Sequence, residues 1–307
     1  MNKGRSIVEM MTADTQSVRA EFGALLAQQN RNGGWGYRPG LPTAAEPTAL
    51  AALAIATQPV HGNGLTTALK ALTPLQRPDG AVCPLVGLEH PGWPTPLAIM
   101  AWSADTKRGG GEFREPARRA VAWLLSAHGE PAANAPGVLG HDTKLIGWSW
   151  VAGTHSWVEP TAYAVMALRA VGKDGHPRAK EAVRLLLDRA IPGGGFNYGN
   201  SRVLGSALRP FPATTGIALA ALAGQPRNPA IEESIGYLRD AIGQVSAPYS
   251  LAWGLIGLRC WDAISDATVV EALARGDRDG LSAVDAALYL LARSDSFPMP
   301  KVRIHDG

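Results

Sequence analysis

Reactive and aromatic side chains are most concentrated between residues 128 and 159, in HGEPAANAPGVLGHDTKLIGWSWVAGTHSWVE. The side chains there that could take part in catalysis or binding are those of His141, Asp142, Lys144, Trp148, Trp150, His155, Trp157 and Glu159. A carboxyl group held protonated by burial can act as a general acid, and the π faces of indoles stabilise cations. We therefore predict Asp142 or Glu159 as an acid. Trp148, Trp150 and Trp157 would form a cation-stabilising wall, with His141 and His155 beside them.

The same residues also allow a purely structural interpretation. Glu159 begins the sequence EPT, and Glu46 begins a second copy of it, so both could cap helices at their N-termini. His141 with Asp142 could form a surface turn, and the indoles could pack this long segment onto the body of the protein.

Further candidates lie outside this stretch. The segment FNYGNSRVLGSALRPFP supplies Tyr198 and two guanidinium groups, Arg202 and Arg209, which could grip a diphosphate or could be solvated loop charges. Three aromatic residues near the starts of apolar segments complete the predicted substrate-binding set: Tyr37, Trp93 and Tyr249. Asp285, in the first turn of the last apolar segment, is a third candidate acid if it faces the interior.

Two kinds of helix must position these residues. Apolar residues with the spacing of a one-faced helix occur at Val18, Phe22, Leu25 and Leu26, and related patterns begin at Leu65, Ala117, Ala179, Ile231 and Val269. Between them lie six segments that are apolar nearly all round: EPTALAALAIA, WPTPLAIMAW, EPTAYAVMALRA, ATTGIALAALAG, PYSLAWGLIGL and SAVDAALYLLA. A helix that is apolar on every side is a buried helix.

Six half-exposed helices alternating with six buried ones predict an all-α fold, a single (α/α)6 barrel over residues 1–307. Residues 1–16 would be an N-terminal extension and residues 295–307 a C-terminal tail. An open solenoid of helix pairs is the alternative. The apolar character of the sixth inner segment favours closure, because an open end would need a polar cap.

The connections from outer to inner helices are much longer than the usual median of roughly 5 residues, and long loops in a compact domain are often functional. The N-termini of all six inner helices point to the rim that carries these connections, which favours an anion there. We therefore predict the mouth of the site at this rim.

The stretch QNRNGGWGY, Gln29 to Tyr37, carries a family signature. Gln29, Gly33 and Trp35 match the Gln-x-x-x-Gly-x-Trp repeat of squalene-hopene and oxidosqualene cyclases, and Gln76 to Val82 is a degenerate second copy. The helical layout resembles their toroid and that of protein prenyltransferase β subunits. The resemblance implies an isoprenoid or similar apolar substrate in the barrel lumen. The Gln and Trp of the motif would be structural clamps.

The catalytic motifs of these families are missing. There is no Asp-x-Asp-Asp; the nearest sequence is DRDG, with Asp277 and Asp279, which reads as a turn. Cys260 precedes Asp262, the reverse of the prenyltransferase zinc motif, and Cys83 would lie near the opposite rim. The metal alternative is a zinc site made from Cys260 and His305. We predict no metal and no cofactor.

Composition and charge limit the possible functions and locations of the protein. A net charge of +3 without long charge runs argues against a nucleic-acid partner, and Met1 to Gln16 lacks the apolar centre of a secretory signal. We expect a cytoplasmic protein without a transmembrane segment, for which contact with a membrane surface stays open. The leading hypothesis is a terpene cyclase or prenyltransferase-like enzyme. The alternatives are a non-catalytic toroid that binds a partner protein and a carbohydrate-active barrel that uses Asp142 and Glu159 as its carboxyl pair.

Overall fold

The computed structural model describes residues 7–58, 63–88, 90–131, 138–278 and 280–297. In these ranges the chain forms twelve α-helices that alternate between two layers. The outer helices are α1 (Ile7–Ala27), α3 (Gly64–Leu72), α5 (Arg114–Ser126), α7 (Pro177–Asp188), α9 (Pro229–Ile242) and α11 (Asp266–Arg275). The inner helices are α2 (Ala45–Thr57), α4 (Thr95–Lys107), α6 (Val158–Ala170), α8 (Pro212–Leu222), α10 (Pro248–Arg259) and α12 (Ala283–Arg293).

Two minor elements join these helices. A 3-10 turn, Thr73–Leu75, extends α3, and strands β1 (Arg202–Val203) and β2 (Ser206–Ala207) form a short antiparallel hairpin before α8. Helix α1 begins at Ile7, so part of the segment predicted as an N-terminal extension is helical.

The inner helices form a closed ring. Each packs against the next, from α2 to α4 and onward to α12, and α12 packs against α2. This contact confirms the predicted (α/α)6 toroid and excludes the open solenoid. Because each inner helix is surrounded by other parts of the same chain, its apolar residues are buried almost along its whole length.

Glycine allows α8 and α10 to approach each other closely. A Cβ placed on Gly216 of α8 would lie 2.0 Å from the carbonyl oxygen of Trp253 in α10, and one placed on Gly257 would lie 2.6 Å from the Cα of Gly216. No side chain fits at either position without separating the two helices. Small residues therefore set the spacing of the ring here.

A buried carboxylate joins the first helix to the last. Glu21 of α1 is 1% exposed, and it accepts hydrogen bonds from Arg278 at 2.7 Å and from Arg293 of α12 at 2.6 Å. The two guanidinium groups compensate a charge that would be costly to bury alone. This ion-pair cluster holds α1 against α12.

The Gln-x-x-x-Gly-x-Trp stretch forms the clamp that the sequence predicted. The Gln29 side chain donates to the carbonyl of Gly33 at 2.9 Å, and the indole of Trp35 donates to the carbonyl of Leu25 at 2.7 Å. Gly33 has a φ of +88°, and a Cβ on it would lie 2.9 Å from the carbonyl oxygen of Thr67 in the next outer helix. Glycine is thus required both by its conformation and by the close approach.

A threonine in the first turn of four inner helices completes the repeat. Its hydroxyl accepts the backbone N–H of the clamp residue, at 2.8 to 3.0 Å, in each of these pairs: Thr48 with Trp35, Thr95 with Val82, Thr161 with Trp148 and Thr215 with Phe196. Trp148 is therefore the third-repeat counterpart of Trp35, and its indole likewise donates to a carbonyl of the preceding outer helix, that of Leu124, at 2.9 Å.

Candidate functional site

Two glutamates face the mouth of the ring from the first turns of α2 and α6. The alternative interpretation of the sequence made Glu46 and Glu159 caps of these helices, and the structure shows them in the first turns without a capping hydrogen bond. The N-cap residues are Ala44 and Trp157, and neither helix has a side-chain capping bond. Instead, Oε1 of Glu159 accepts a hydrogen bond from the Thr214 hydroxyl in α8 at 2.7 Å.

Burial changes the ionisation of both carboxyl groups. It raises the pKa of Glu46 to about 7, an effect that a hydrogen bond from Tyr37 opposes and the charge of Glu159 reinforces. Burial also raises the pKa of Glu159, and the Thr214 hydroxyl opposes that change. Glu46 thus exchanges its proton close to neutral pH, as a general acid should.

Two tyrosines meet across the lumen beside these carboxyl groups. The hydroxyl of Tyr163 in α6 lies 3.2 Å from that of Tyr249 in α10. Burial raises the pKa of both tyrosines, and the charges of Glu46 and Glu159 act on both as well. Because these residues come from three alternate inner helices, their interactions place them all in the interior of the ring. We call Tyr37, Glu46, Glu159, Tyr163 and Tyr249 the mouth cluster.

Aromatic side chains occupy the lumen next to the mouth cluster. The ring of Trp253 in α10 packs against Tyr163 at 5.8 Å between centroids and against Phe297, which follows α12, at 6.0 Å. These three residues give the mouth cluster an aromatic floor.

A second site lies between the start of α4, the end of α5 and the third outer-to-inner connection. It is a cleft of about 380 Å³ in which Trp93, Trp123, Trp148 and Trp150 meet charged side chains. The rings of Trp93 and Trp150 pack edge to face with centroids 5.0 Å apart. We call it the tryptophan cleft. The predicted wall residues Trp148 and Trp150 therefore line this cleft together with Trp93, and they do not join the mouth cluster.

The two histidines and Trp157 line a smaller cavity of about 170 Å³. The rings of His155 and Trp157 are 5.2 Å apart. Burial lowers the pKa of His141 to about 4, and the nearby charge of Arg189 adds to this effect. His141 is consequently neutral at neutral pH, and its buried Nδ1 has no hydrogen-bond partner among the described residues.

Two of the three predicted acids lie elsewhere and have structural partners. Asp142 is exposed; it accepts the N–H of Lys144 at 2.9 Å and donates its own N–H to Asp188 at the end of α7 at 3.0 Å. It therefore forms the surface turn that was the alternative interpretation, without the burial that an acid role requires. Asp285 forms a capping box with Ser282, whose hydroxyl donates to the Asp285 carboxylate at 2.7 Å.

The candidates of the fourth connection lie on the outer surface of the rim. Tyr198 is 53% exposed and packs on Phe211 with ring centroids 5.0 Å apart, while Arg202 and Arg209 are exposed nearby. Large exposed apolar residues are frequent in the first four outer-to-inner connections: Tyr37, Leu41, Val86, Leu88, Val138, Val151, Tyr198, Leu204 and Phe211. The mouth is thus bordered by apolar surface.

Among the described residues, no group of three His, Cys, Asp or Glu side chains lies close enough together to bind a metal ion. Cys83 is buried and Cys260 is half-buried. Asp279 of the DRDG turn and His305 of the zinc alternative lie outside the described residues. Within the same ranges, every helix is too short or too polar to cross a bilayer.

Sequence reasoning missed Glu46, Tyr163, Thr214 and Trp253 as members of the candidate site. A signal for Glu46 was present in the two EPT copies, but the capping interpretation assigned it a structural place only. Tyr163 follows Glu159 by one helical turn and so shares its face. No sequence pattern indicated that Thr214 or Trp253 would meet residues of α6.

The structure has the fold of the α/α toroids. It is similar to the ligand-free type II terpene cyclase MstE from Scytonema, with a TM-score of 0.62 and 16% identity over 91% of this chain and 96% of that chain. A complex of an MstE variant with the substrate geranylgeranyl dihydroxybenzoate gives a TM-score of 0.56 and 16% identity, over 94% of this chain and 80% of that one. An α-amylase from Clostridium perfringens also matches, with a TM-score of 0.62 and 11% identity over 91% and 96%.

These similarities show that this chain and type II terpene cyclases have the same fold. Identities of this size do not extend to activity, since one fold hosts unrelated reactions. No protein-family model and no curated protein matches the sequence.

Proposed function

We propose that the protein binds an apolar, isoprenoid-type substrate at the mouth cluster and starts a reaction on it by proton transfer from Glu46. The observation that supports this is a largely buried carboxyl group with a pKa of about 7, set among tyrosines in the interior of the ring. Such a group carries a proton in a large fraction of molecules at neutral pH, and its burial keeps water from competing for it.

The other members of the site have complementary roles. A proton transferred from Glu46 to a carbon–carbon double bond leaves a positive charge on the substrate. The partly exposed ring of Tyr249 offers a π face to that charge, and the buried rings of Tyr163 and Trp253 lie behind it. Glu159, whose carboxylate accepts a hydrogen bond from the Thr214 hydroxyl, offsets the charge and accepts a proton from the cation at the end. Proton exchange with water then returns Glu46 to its protonated form and Glu159 to its ionised form. The product is then an isomer of the substrate.

Glu46 takes the place of the acid that terpene cyclases draw from Asp-x-Asp-Asp, a motif missing from this sequence. The exposed apolar residues of the first four outer-to-inner connections also suit a lipid-like substrate.

The test is incubation of the purified protein with squalene, geranylgeranyl diphosphate and geranylgeranyl dihydroxybenzoate, followed by mass spectrometry. We expect a product of unchanged mass and altered retention, abolished in Glu46→Gln and retained in Glu271→Gln, which changes an exposed glutamate of α11. If there were neither product nor saturable binding with all three compounds, the proposal would be wrong and the non-catalytic toroid would be favoured.

Glycoside hydrolysis is a second candidate because the mouth cluster contains two carboxyl groups that differ in environment. Glu46 would be the general acid and Glu159 the nucleophile or base. This replaces the earlier pair, since Asp142 lies at an exposed turn. The similarity to an α-amylase supports the same idea. Hydrolysis of starch or p-nitrophenyl α-maltotrioside by the protein, lost in both Glu46→Gln and Glu159→Gln, would favour this function over the first.

A further inference from the structure

The tryptophan cleft is separate from the mouth cluster, although the two lie close together. Pro96 and Pro160 line the cleft from the first turns of α4 and α6. Glu159 precedes Pro160, but its carboxylate is directed to Thr214 in α8, away from the seam between α4 and α6. No member of the mouth cluster lines the cleft. The reaction proposed for the mouth therefore leaves this cleft without a role.

Two pairs of charged or titratable side chains line the cleft. The Arg77 guanidinium donates to the Asp79 carboxylate at 2.8 Å, and Nδ1 of His128 lies 3.9 Å from Oε1 of Glu130. The Arg77 guanidinium would repel a cationic ligand, and the Asp79 and Glu130 carboxylates would repel an anionic one. An uncharged ligand avoids both repulsions.

The remaining wall is aromatic. Trp93, Trp123 and Trp150 are partly exposed around the cleft, whereas Trp148 is 4% exposed and has Arg178 over its ring at 4.4 Å. Indole faces pack well against apolar C–H surfaces, while Asp79, Glu130 and Arg77 supply acceptors and donors for hydroxyl groups. A volume of about 380 Å³ falls within the range of small-molecule sites.

We propose that the tryptophan cleft binds a short, uncharged saccharide, with the sugar rings against Trp93 and Trp150 and the hydroxyl groups on Asp79 and Glu130. The pyranose ring combines the two features that the cleft selects, an apolar face and a hydroxyl-bearing edge. This binding site is independent of the reaction at Glu46.

The test is titration of the full-length protein with maltotriose, cellotriose and chitotriose, followed by tryptophan fluorescence and calorimetry. We expect saturable binding of at least one trisaccharide, a loss of affinity of tenfold or more in Trp150→Ala, and a smaller loss in Trp150→Phe, which keeps an aromatic face. Because Trp150→Ala could disturb folding, Asp79→Asn, whose side chain is 43% exposed, is the second variant, and it too should weaken binding.

The control is Glu46→Gln, which should bind the trisaccharide as the unaltered protein does while it loses the proposed reaction. This separates failure of the saccharide proposal from failure of the proposed function. The inference is overturned if no trisaccharide binds saturably at millimolar concentration, or if folded Trp150→Ala and Asp79→Asn both bind with unchanged affinity. Binding of choline or inorganic phosphate in the cleft in place of a sugar would overturn it as well.

Discussion

The hydroxyl groups of Tyr163 and Tyr249 lie 3.2 Å apart, although the two residues belong to helices that α8 separates in the ring. This hydrogen bond links α6 to α10 through the lumen. If one hydroxyl is removed, the other is left without this partner in a mostly buried position, so the cost per hydroxyl is greater than when both are removed together.

A double-mutant cycle measures this link. We expect Tyr163→Phe and Tyr249→Phe each to lower the free energy of unfolding by about 1 kcal/mol, and the double variant to lose less than the sum. Urea denaturation followed by circular dichroism is the measurement. Strictly additive losses would show that the two hydroxyls do not interact.

Glu46 makes the stability of the protein depend on pH. Its pKa is near 4.5 in the unfolded chain and about 7 in the folded protein, so the folded state binds more protons between these values. The contribution of Glu46 to stability therefore falls as the pH rises from about 4.5 to 7, by on the order of 3 kcal/mol, while His141, whose pKa is lowered to about 4, contributes in the opposite direction. Glu46→Gln, which has no charge to lose, should match the unaltered protein at pH 5 and be more stable at pH 8.

The matched control is Glu271→Gln, an exposed position in α11, which should leave the pH profile unchanged. Urea denaturation at pH 5, 6.5 and 8 gives the comparison. Equal stability of Glu46→Gln and the unaltered protein at pH 8 would contradict the raised pKa of Glu46.

Gly216 tests whether close backbone contact sets the spacing of the ring. In Gly216→Ala the new methyl group would lie 2.0 Å from the carbonyl oxygen of Trp253, so α8 and α10 must separate. We expect a loss of about 3 kcal/mol in the free energy of unfolding.

Gly236→Ala is the control, because Gly236 lies within α9 and no heavy atom lies within 4 Å of its Cβ position. It should stabilise the protein by about 0.5–1 kcal/mol through helix propensity. Thermal denaturation distinguishes the two, and equal effects would show that the α8–α10 contact has no special role.

The ion-pair cluster at Glu21 should contribute to ring closure. Glu21→Gln removes the charge that Arg278 and Arg293 share, leaving two cations facing a neutral amide in a mostly buried place. We expect a loss of about 3 kcal/mol or more. Glu115→Gln, which breaks the solvent-exposed pair with Arg118, should have no measurable effect. Similar melting temperatures for both variants would show that Glu21 does not secure the junction between α1 and α12.

The sequence by itself determined the helices and their two layers, because burial on one side or on all sides leaves a direct record in the spacing of apolar residues. It also identified Gln29, Gly33 and Trp35 as a clamp, since each makes its bonds within a few residues or with the neighbouring helix. Gly216 and the threonines that bond to the clamp residues can be located in the sequence. The sequence does not show which residues they contact.

Only the tertiary structure decided which residues come together in the candidate site. Asp142 and Glu159 are neighbours in one segment, yet one lies at an exposed turn and the other in the lumen. Glu46 and Tyr249, far from Glu159 in the chain, come within range of its charge because the ring closes. Burial, and with it the raised pKa of Glu46, depends on what the other helices place around a side chain, and a single segment of sequence carries no record of that.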